Sequence, residues 1–472
     1  MKAGFQPGRA LCAALAVCGL TVASLPAAAA DGAVIPQPMP GGFNFPTPGY
    51  VIGQWVDANN QTAITGHGWD IWQAMTQPTG QNNLPVWDTW VSEAQIFGQT
   101  SNTGTKTAAE AETLGAVRSQ LERGVALPQL RPLRIPRQFS HTPHGRRALE
   151  ATASQGSVIV ETERFDNATA LFVSTPQVTP YGTFKVNNGS SLQAYAAAFP
   201  ANTSTGARAV RDFPETGMET KPVFGYVKAA TPTAVPYWQG TGAVNTDNNP
   251  AQGYYVQNWN DCVIVDPSNT ATSGMTKLSA APTPGSFFQD PQLSCSSYYT
   301  APIGMFYAFA MTATQAQGFA NPNVTAGDMA VLVAMHVSTK EQDPWTWQTF
   351  YWQGTSEFET SEGPGSMTGQ PATLAAPWNA YAMCTAYSQQ VNGQMLVCYN
   401  PYLETNPGIP SGITSNCMTC HGMAAVYPAG SQSQTPSYPA NYDQPVAFDD
   451  PALFGNAMKT DFSWSMADQV FD

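Results

Sequence analysis

Charged side chains and histidines are scarce in this sequence. Only 11% of the 472 residues are charged, and there are five histidines. The 32 acidic residues outnumber the 19 basic ones, and after residue 211 twenty acidic residues stand against five lysines and no arginine. Nucleic acid binding needs a basic surface, so this balance argues against it. The acidic character favours docking to a protein partner with a basic surface, and it leaves the oligomeric state open.

Long hydrophobic runs are also missing. Beyond its N-terminal segment, the sequence has no apolar run of the ~20 residues that a membrane-spanning helix needs. The N-terminal segment carries Lys2 and Arg9 before a shorter apolar stretch, and three alanines at 28–30 precede Asp31. This is the pattern of a cleavable secretory signal. We therefore predict a signal peptide over residues 1–30 and a periplasmic or secreted mature protein without a membrane span.

Cysteines are few, and their number is even. Of the eight in the sequence, two leave with the predicted signal and two belong to the motif described next. The other four are Cys262, Cys295, Cys384 and Cys398. An even number of cysteines in an exported protein indicates disulfides, and four cysteines allow three pairings. We predict that sequence neighbours pair, which gives Cys262–Cys295 and Cys384–Cys398.

One motif near the C-terminal end combines two cysteines with a histidine: Cys417-Met418-Thr419-Cys420-His421. Cys-x-x-Cys-His is the attachment site of c-type haem. On a helix, positions i, i+3 and i+4 share a face, so both thiols meet one edge of the porphyrin and His421 lies beneath the iron. A thioredoxin-like motif would need a βαβ setting, and a zinc site would need further Cys or His nearby; the sequence offers neither. We predict one covalent haem c held by Cys417, Cys420 and His421.

The sixth iron ligand decides between electron transfer and chemistry on a small molecule. The candidates are the remaining histidines and two methionines downstream of the motif: His67, His141, His144, His336, Met458 and Met466. We place His336 first, because it lies in an apolar strand beside an aromatic one and a buried imidazole needs a partner. His67 is second. A core histidine bonded to a carbonyl and methionines that fill the core remain the alternatives.

The spacing of apolar residues changes near residue 150. Before it, helical spacing predicts helices over 66–75, 86–97 and 107–123, whose tryptophans we assign to the core. After it, β-rich segments predominate, with one further helix predicted over 376–390. The predicted strands are 157–165, 169–175, 222–229, 253–265, 304–312, 328–340, 345–353 and 394–404.

These elements predict an α+β fold: a mainly antiparallel β scaffold with short helices and the haem motif on a short C-terminal helix. We divide the mature chain into a Trp-rich helical region over 31–150 and a β-rich region over 151–472, which could form one integrated domain. The strands 328–340 and 345–353 are separated by turn residues and predict a hairpin. Aromatic residues fall on both faces of the second strand, so it should be central or lie against a large cofactor.

Seven of the arginines lie between Arg118 and Arg147. The stretch 127–147 is punctuated by prolines, which predicts an exposed loop. Such a loop could bind an anion or an acidic partner, or be a solvated insertion without a function of its own.

The motif resembles those of c-type cytochromes, but the small all-α cytochrome c fold does not fit. That fold has a helix shortly before the motif, whereas residues 400–416 contain three prolines. The chain is also similar to exported bacterial monohaem cytochrome c family proteins in three features: His336-Val337-x-x-Lys340, Trp345-x-Trp347-x-Thr349-Phe350 and one late haem motif. This resemblance implies haem binding and supplies no activity.

A second resemblance is to small β-sheet haem c enzymes that act on small nitrogen compounds and leave one axial position open. Three functions therefore follow as hypotheses. The first is a periplasmic single-electron carrier, the second an oxidoreductase acting on peroxide or a nitrogen oxide, and the third a binding protein with structural haem. The length of the chain favours the last two, and the lack of a recognisable acid–base pair near the motif argues against the enzyme.

Overall fold

The computed structural model describes residues 1, 32–98, 108–137, 156–200, 208–245, 253–360, 363–405, 412–431 and 445–470. The predicted signal apart from Met1, and also His141 and His144, lie outside these residues. In the described part of the chain, no helix is long and apolar enough to cross a membrane.

Helices are mostly short. The α-helices are α1 (Gly49–Asp57), α2 (Gln61–Met75), α3 (Glu93–Phe97), α4 (Ala108–Glu122), α5 (Asn167–Ser174), α6 (Gly189–Ala198), α7 (Ala313–Gln317), α8 (Pro401–Glu404), α9 (Cys417–His421), α10 (Pro451–Phe454) and α11 (Trp464–Ala467). Single 3-10 turns are formed by Val86–Thr89, Thr241–Ala243, Val256–Asn258, Ile303–Met305, Ser356–Phe358, Trp378–Ala380, Gly412–Thr414 and Asp468–Val470.

The strands are β1 (Ala33–Val34), β2 (Val91–Ser92), β3 (Leu127–Pro128), β4 (Ile159–Glu161), β5 (Arg164–Phe165), β6 (Gln177–Thr179), β7 (Gly182–Phe184), β8 (Met218–Val227), β9 (Thr233–Pro236), β10 (Asp261–Asp266), β11 (Thr276–Lys277), β12 (Ser297–Pro302), β13 (Ala308–Ala310), β14 (Met329–Thr339), β15 (Thr346–Trp352), β16 (Tyr381–Ala386), β17 (Gln390–Val391), β18 (Gln394–Met395), β19 (Ala425–Val426) and β20 (Met458–Lys459).

A large antiparallel sheet organises the molecule. Its strands run in the order β16-β15-β14-β8-β5-β2, with β13 also paired to β14 and β4 to β8. A smaller sheet has the order β11-β12-β10-β9, in which β10 and β12 are parallel. The prediction of an α+β fold on a mainly antiparallel scaffold is confirmed. The N-terminal region contributes β2 to the edge of the large sheet.

The β14–β15 hairpin is confirmed, and β15 is central. It pairs with β14 on one side and with β16 on the other, and all seven of its residues are buried. Phe350 stacks on Trp72 of α2 with ring centroids 4.0 Å apart. The opposite face of β15 carries Trp347, which lies against α9. Aromatic packing on both faces holds this strand in the middle of the protein.

Both predicted disulfides are present. Cys262 pairs with Cys295 and Cys384 with Cys398, with Cα–Cα distances of 5.7 and 5.8 Å. The second bridge joins β16 to the segment that leads into α9.

Some element predictions are wrong. Residues 169–174 belong to α5, because the Asp166 carboxylate accepts hydrogen bonds from the backbone of Ala168 and Thr169 and caps a helix there. Residues 376–390 contain strand β16 instead of a helix, since that segment pairs with β15. In the predicted strand 394–404, Asn400 caps the short helix α8. The helix predicted over 86–97 is interrupted by a 3-10 turn and β2.

The arginine-rich stretch is not an exposed loop where it is described, up to residue 137. Arg131 is only 8% exposed, and its Nη2 lies 2.5 Å from Oδ2 of Asp88. Arg164 also contacts Asp88, with Nη2 3.1 Å from Oδ1. Burial raises the pKa of Asp88, but the charges of Arg131 and Arg164 outweigh it and lower that pKa below its ordinary value. Asp88, the acidic residue that pairs with both buried arginines, lies far from them in the sequence.

Candidate functional site

The motif Cys417–His421 forms the short helix α9, as predicted. Asn416 caps it: its side-chain oxygen accepts from the backbone N–H of Thr419 at 2.9 Å. Its side-chain nitrogen donates to the carbonyl of Leu396 at 2.8 Å. The backbone N–H of Cys398 donates to the carbonyl of Ser415 at 3.0 Å. The start of this helix is thus fixed to the segment that carries the Cys384–Cys398 bridge.

His421 is a neutral imidazole with one ring nitrogen bonded to the backbone. Its Nδ1 lies 2.9 Å from the carbonyl oxygen of Phe462, and a carbonyl can only accept, so Nδ1 carries the proton. The lone pair therefore resides on Nε2. Burial lowers the pKa of His421 to about 3, and the bond to Phe462 only partly offsets that effect. The ring is neutral at physiological pH, as iron ligation requires.

Cys417 and Cys420 remain thiols. They are buried, at 7% and 9% exposure, and stand outside both disulfides. Burial raises the pKa of the Cys417 thiol well above its ordinary value. Across the described residues, no group of three or more His, Cys, Asp or Glu side chains could hold a metal ion. Two thiols and one neutral imidazole on a single helical turn fit the attachment of haem c.

A cleft lies between α9 and one face of the large sheet. Side chains on that face align in cross-strand rows because neighbouring strands are antiparallel and in register. One row is Phe165, Glu219, Ser338 and Trp347, and the next is Lys221, His336 and Thr349. The opposite wall includes Cys420, His421, Trp464, Ser465 and Asp468. The cavity volume of the cleft is about 60 Å³.

The fold brings His336 into the cleft of the haem motif. The two are 85 residues apart in sequence, yet the charge of His336 contributes to lowering the pKa of His421. His336 is 8% exposed, and its Nε2 lies 3.2 Å from Oε2 of Glu404. The imidazole therefore already has a buried partner, which the sequence reasoning did not foresee. Its role as sixth ligand stays a prediction.

The other candidate ligands that the structure describes, His67, Met458 and Met466, do not line the cleft. His67 is 2% exposed; its Nδ1 lies 2.6 Å from the Tyr387 hydroxyl and its Nε2 2.8 Å from the carbonyl of Asn44. Met458 and Met466 are fully buried, in the hydrophobic cluster that also contains Cys417. These three side chains are satisfied by core packing or hydrogen bonds.

Trp347 provides an aromatic wall beside the motif. Its ring centroid lies 4.1 Å from that of His421, with an interplanar angle of 38°. Its indole N–H donates to the carbonyl of Pro344 at 2.8 Å, which fixes the ring at the start of β15. The alternation of aromatics along β15 predicted such a wall.

An ionic network that the sequence analysis missed borders the cleft. Lys221 Nζ lies 3.1 Å from Glu161 and 3.2 Å from Glu163. Arg134 contacts Glu163 at 3.4 Å, and the Ser465 hydroxyl donates to Glu163 at 2.8 Å. Burial raises the pKa of Glu163, but the charges of Lys221 and Arg134 outweigh it and lower that pKa to about 2. Glu163 is a carboxylate at neutral pH.

The pKa of Glu219, in the same cleft, is shifted in the opposite direction from that of Glu163. Oε1 of Glu219 is buried and has no hydrogen-bond partner among the described residues. Burial, together with the negative charge of Glu163, raises the pKa of Glu219 to about 8. One carboxyl group is therefore ionised and one protonated at neutral pH, the pattern of an acid and a base in one site. The sequence near the motif contains neither of these carboxyl groups, because one comes from the residue just before β5 and the other from β8.

The only local signal for this pair was the alternation of Glu219 and Lys221 with Met218 and Thr220 along β8, which marks a polar face of a strand. Comparisons with protein-family models, with curated proteins and with solved structures found no match for this chain.

Proposed function

We propose that this protein is an exported c-type cytochrome with one covalent haem. Cys417 and Cys420 form the two thioether bonds and His421 is the proximal iron ligand. The observation that carries the proposal is the state of α9: two thiols outside the disulfides and an imidazole whose Nδ1 is bonded to a carbonyl. When bound, the haem supplies one-electron redox chemistry.

The role that we favour is single-electron transfer in the periplasm, with His336 as the distal ligand. His336 lines the same cleft as His421, and Glu404 holds one of its ring nitrogens. A carboxylate in that position orients an imidazole and raises the basicity of its other nitrogen. The formal net charge of −13 suits a redox partner with a basic docking surface.

A second candidate is an oxidoreductase that acts on peroxide or a nitrogen oxide at an open distal position. The pair of Glu163 and Glu219 favours it, because reduction of such molecules consumes protons and one member of the pair is protonated at neutral pH.

Two measurements test the proposal. Mass spectrometry of the exported protein is expected to give the chain without residues 1–30 plus one haem that survives acid-acetone extraction. Cys417→Ser together with Cys420→Ser should abolish that attachment, whereas Cys262→Ser together with Cys295→Ser, which removes a disulfide outside the cleft lining, should leave it in place. A protein without covalent haem would refute the cytochrome.

Carbon monoxide then separates the two roles. A spectrum of the reduced protein that does not change on adding the gas indicates six-coordinate iron and an electron carrier. A changed spectrum indicates an open or weakly held site and supports the oxidoreductase.

A further inference from the structure

Glu219 occupies a special position in the cleft. It lies on β8, directly opposite Phe165 of β5 and Ser338 of β14, one cross-strand row away from His336. A glutamate between a phenylalanine and a serine receives little compensation for being charged. Its Oε1 is buried without a hydrogen-bond partner among the described residues, and its carboxyl group has a hydrogen bond from the Ser463 side chain.

The charges around Glu219 come from every element that faces it. The acidic groups that act on it are Glu163 before β5, Asp166 after β5 and Asp461 before α11. The other titratable groups that line the cleft are Arg137, Lys221, His336, Cys420, His421 and Asp468.

The cations near this site are engaged by other carboxylates. Lys221 contacts Glu161 and Glu163, and Lys340 lies 2.7 Å from Asp461. The charges of Glu163, Asp461 and Asp166 oppose ionisation of Glu219, so a second negative charge in the cleft is unfavourable. Burial and these charges raise its pKa to about 8, which agrees with the geometry.

We propose that Glu219 takes up a proton from water when the haem site gains an electron, so that this protein moves one electron and one proton together. The inference rests on the proposed function, since it needs haem at Cys417 and Cys420. Without haem the pKa of Glu219 is about 8, and the positive charge of an oxidised haem would lower it, so that Glu219 is a carboxylate before the electron arrives. A one-electron donor protein supplies the electron and a hydronium ion of the solvent supplies the proton. The O–H bond of the hydronium ion breaks as the O–H bond of the Glu219 carboxylic acid forms. The added proton cancels the added negative charge inside a cleft of low dielectric.

The test is the midpoint potential of the haem-loaded protein as a function of pH. In the wild type, the potential should fall with rising pH over a window that ends near pH 8, with a slope of up to about 59 mV per unit, the value for one proton per electron. Glu219→Gln should lose that slope. Glu357→Gln, at an exposed glutamate outside the cleft lining, should keep it.

A third variant adds a directional prediction. Glu163→Gln removes a negative charge that raises the pKa of Glu219, so the window should move to lower pH. The haem propionates titrate in all of these proteins, so the difference between wild type and Glu219→Gln is the signal. An equal slope in both proteins, or no slope in the wild type, overturns the inference.

The wild type alone provides an independent reading if Glu219→Gln fails to fold. An infrared difference spectrum between reduced and oxidised protein should show a new band in the C=O stretching region of protonated carboxylic acids. If no such band appears, the inference about Glu219 is refuted, but the proposal of a c-type cytochrome is not affected. A chain without covalent haem would instead refute the proposed function itself.

Discussion

His421 depends on one backbone carbonyl for its chemistry. The carbonyl of Phe462, 41 residues further along the chain, accepts from Nδ1 and leaves the lone pair on Nε2. Because burial keeps the pKa of this ring at about 3, protons do not compete with a metal ion for Nε2 at neutral pH.

The distal role of His336 can be tested by one substitution. If His336 ligates the iron, His336→Ala should convert a low-spin spectrum to high-spin and open the site to carbon monoxide, while the covalent haem stays attached. The midpoint potential should also shift. His67→Ala is the matched control, since it removes another buried imidazole that lies outside the cleft lining, and it should leave the spectrum unchanged. An unaltered spectrum in His336→Ala would assign His336 to a structural role beside Glu404.

Glu219 should also make folding stability depend on pH. Its pKa is raised from 4.5 to about 8, so it contributes stability that is fully present below pH 4.5 and lost as the pH rises through 8. Glu219→Gln should therefore gain stability relative to the wild type on going from pH 4 to pH 9, by roughly 3–5 kcal/mol. Denaturant unfolding at both pH values measures it, with Glu357→Gln as control. A constant difference between the two proteins would argue against the shifted pKa.

Among the residues of the candidate site, those that lie close together along the chain could be recognised from the sequence. Cys417, Cys420 and His421 lie within five residues, so their spacing alone indicates shared chemistry. Glu163 and Glu219 become neighbours only through the pairing of β5 with β8, and nothing within a short window of sequence reports that register.

The helix α9 is only five residues long and depends on its cap. Asn416 satisfies a backbone N–H at the start of the helix and donates to a carbonyl of the preceding segment. Asn416→Ala should lower the free energy of unfolding by about 2 kcal/mol, because a cap and a buried hydrogen bond are lost together. Asn188→Ala, which removes the cap of α6, should cost only about 1 kcal/mol. Equal losses in the two variants would show that the second bond of Asn416 adds nothing.

The Cys384–Cys398 disulfide anchors the same helix from the other side. Replacing both cysteines by serine should lower stability by about 3 kcal/mol, the chain-entropy value for a loop of roughly 15 residues. Amide hydrogen exchange should also become faster in residues 412–421, because Cys398 bonds the backbone just before Asn416. Replacing Cys262 and Cys295 should leave exchange there unchanged. Unchanged exchange in the first variant would contradict the anchoring role.

Elements were predictable where both local and tertiary preferences agreed. The hairpin β14–β15 has alternating aromatics and a turn between its strands, and both features survive in the fold. The segment 169–175 is rich in β-forming residues, but the cap at Asp166 starts a helix that outweighs their propensity. The strand β16 looks helical in isolation, and only its pairing with β15 makes it a strand.

For the whole molecule, net charge should govern encounters with redox partners. The formal net charge is −13, and charged side chains are few. Electron transfer from a small basic redox protein should therefore slow several-fold between about 10 and 150 mM salt, as the Debye length falls from ~30 to ~8 Å. Stopped-flow kinetics measures this rate, and an acidic redox protein serves as control because its rate should rise or stay constant. If the rate of electron transfer from the basic protein does not depend on salt concentration, electrostatic docking is contradicted.

The fold class followed from the switch in periodicity near residue 150, but the integration of the two regions did not. The strand β2 completes the edge of a sheet built mostly from later residues, and Trp72 stacks on Phe350 across almost 280 positions. Neither contact can be predicted from the pattern of residues in a short stretch of sequence. The buried pair of Arg131 and Asp88 was hidden for the same reason.

The burial of the two motif thiols implies that the proposed haem attachment precedes the final folding of this segment. In the folded chain Cys417 and Cys420 are buried, so a haem could not easily reach them. The pKa of the Cys417 thiol is also raised, which disfavours the reactive thiolate form. The proposed thioether bonds must therefore form on a nascent or loosened C-terminal segment, before α9 settles onto the sheet.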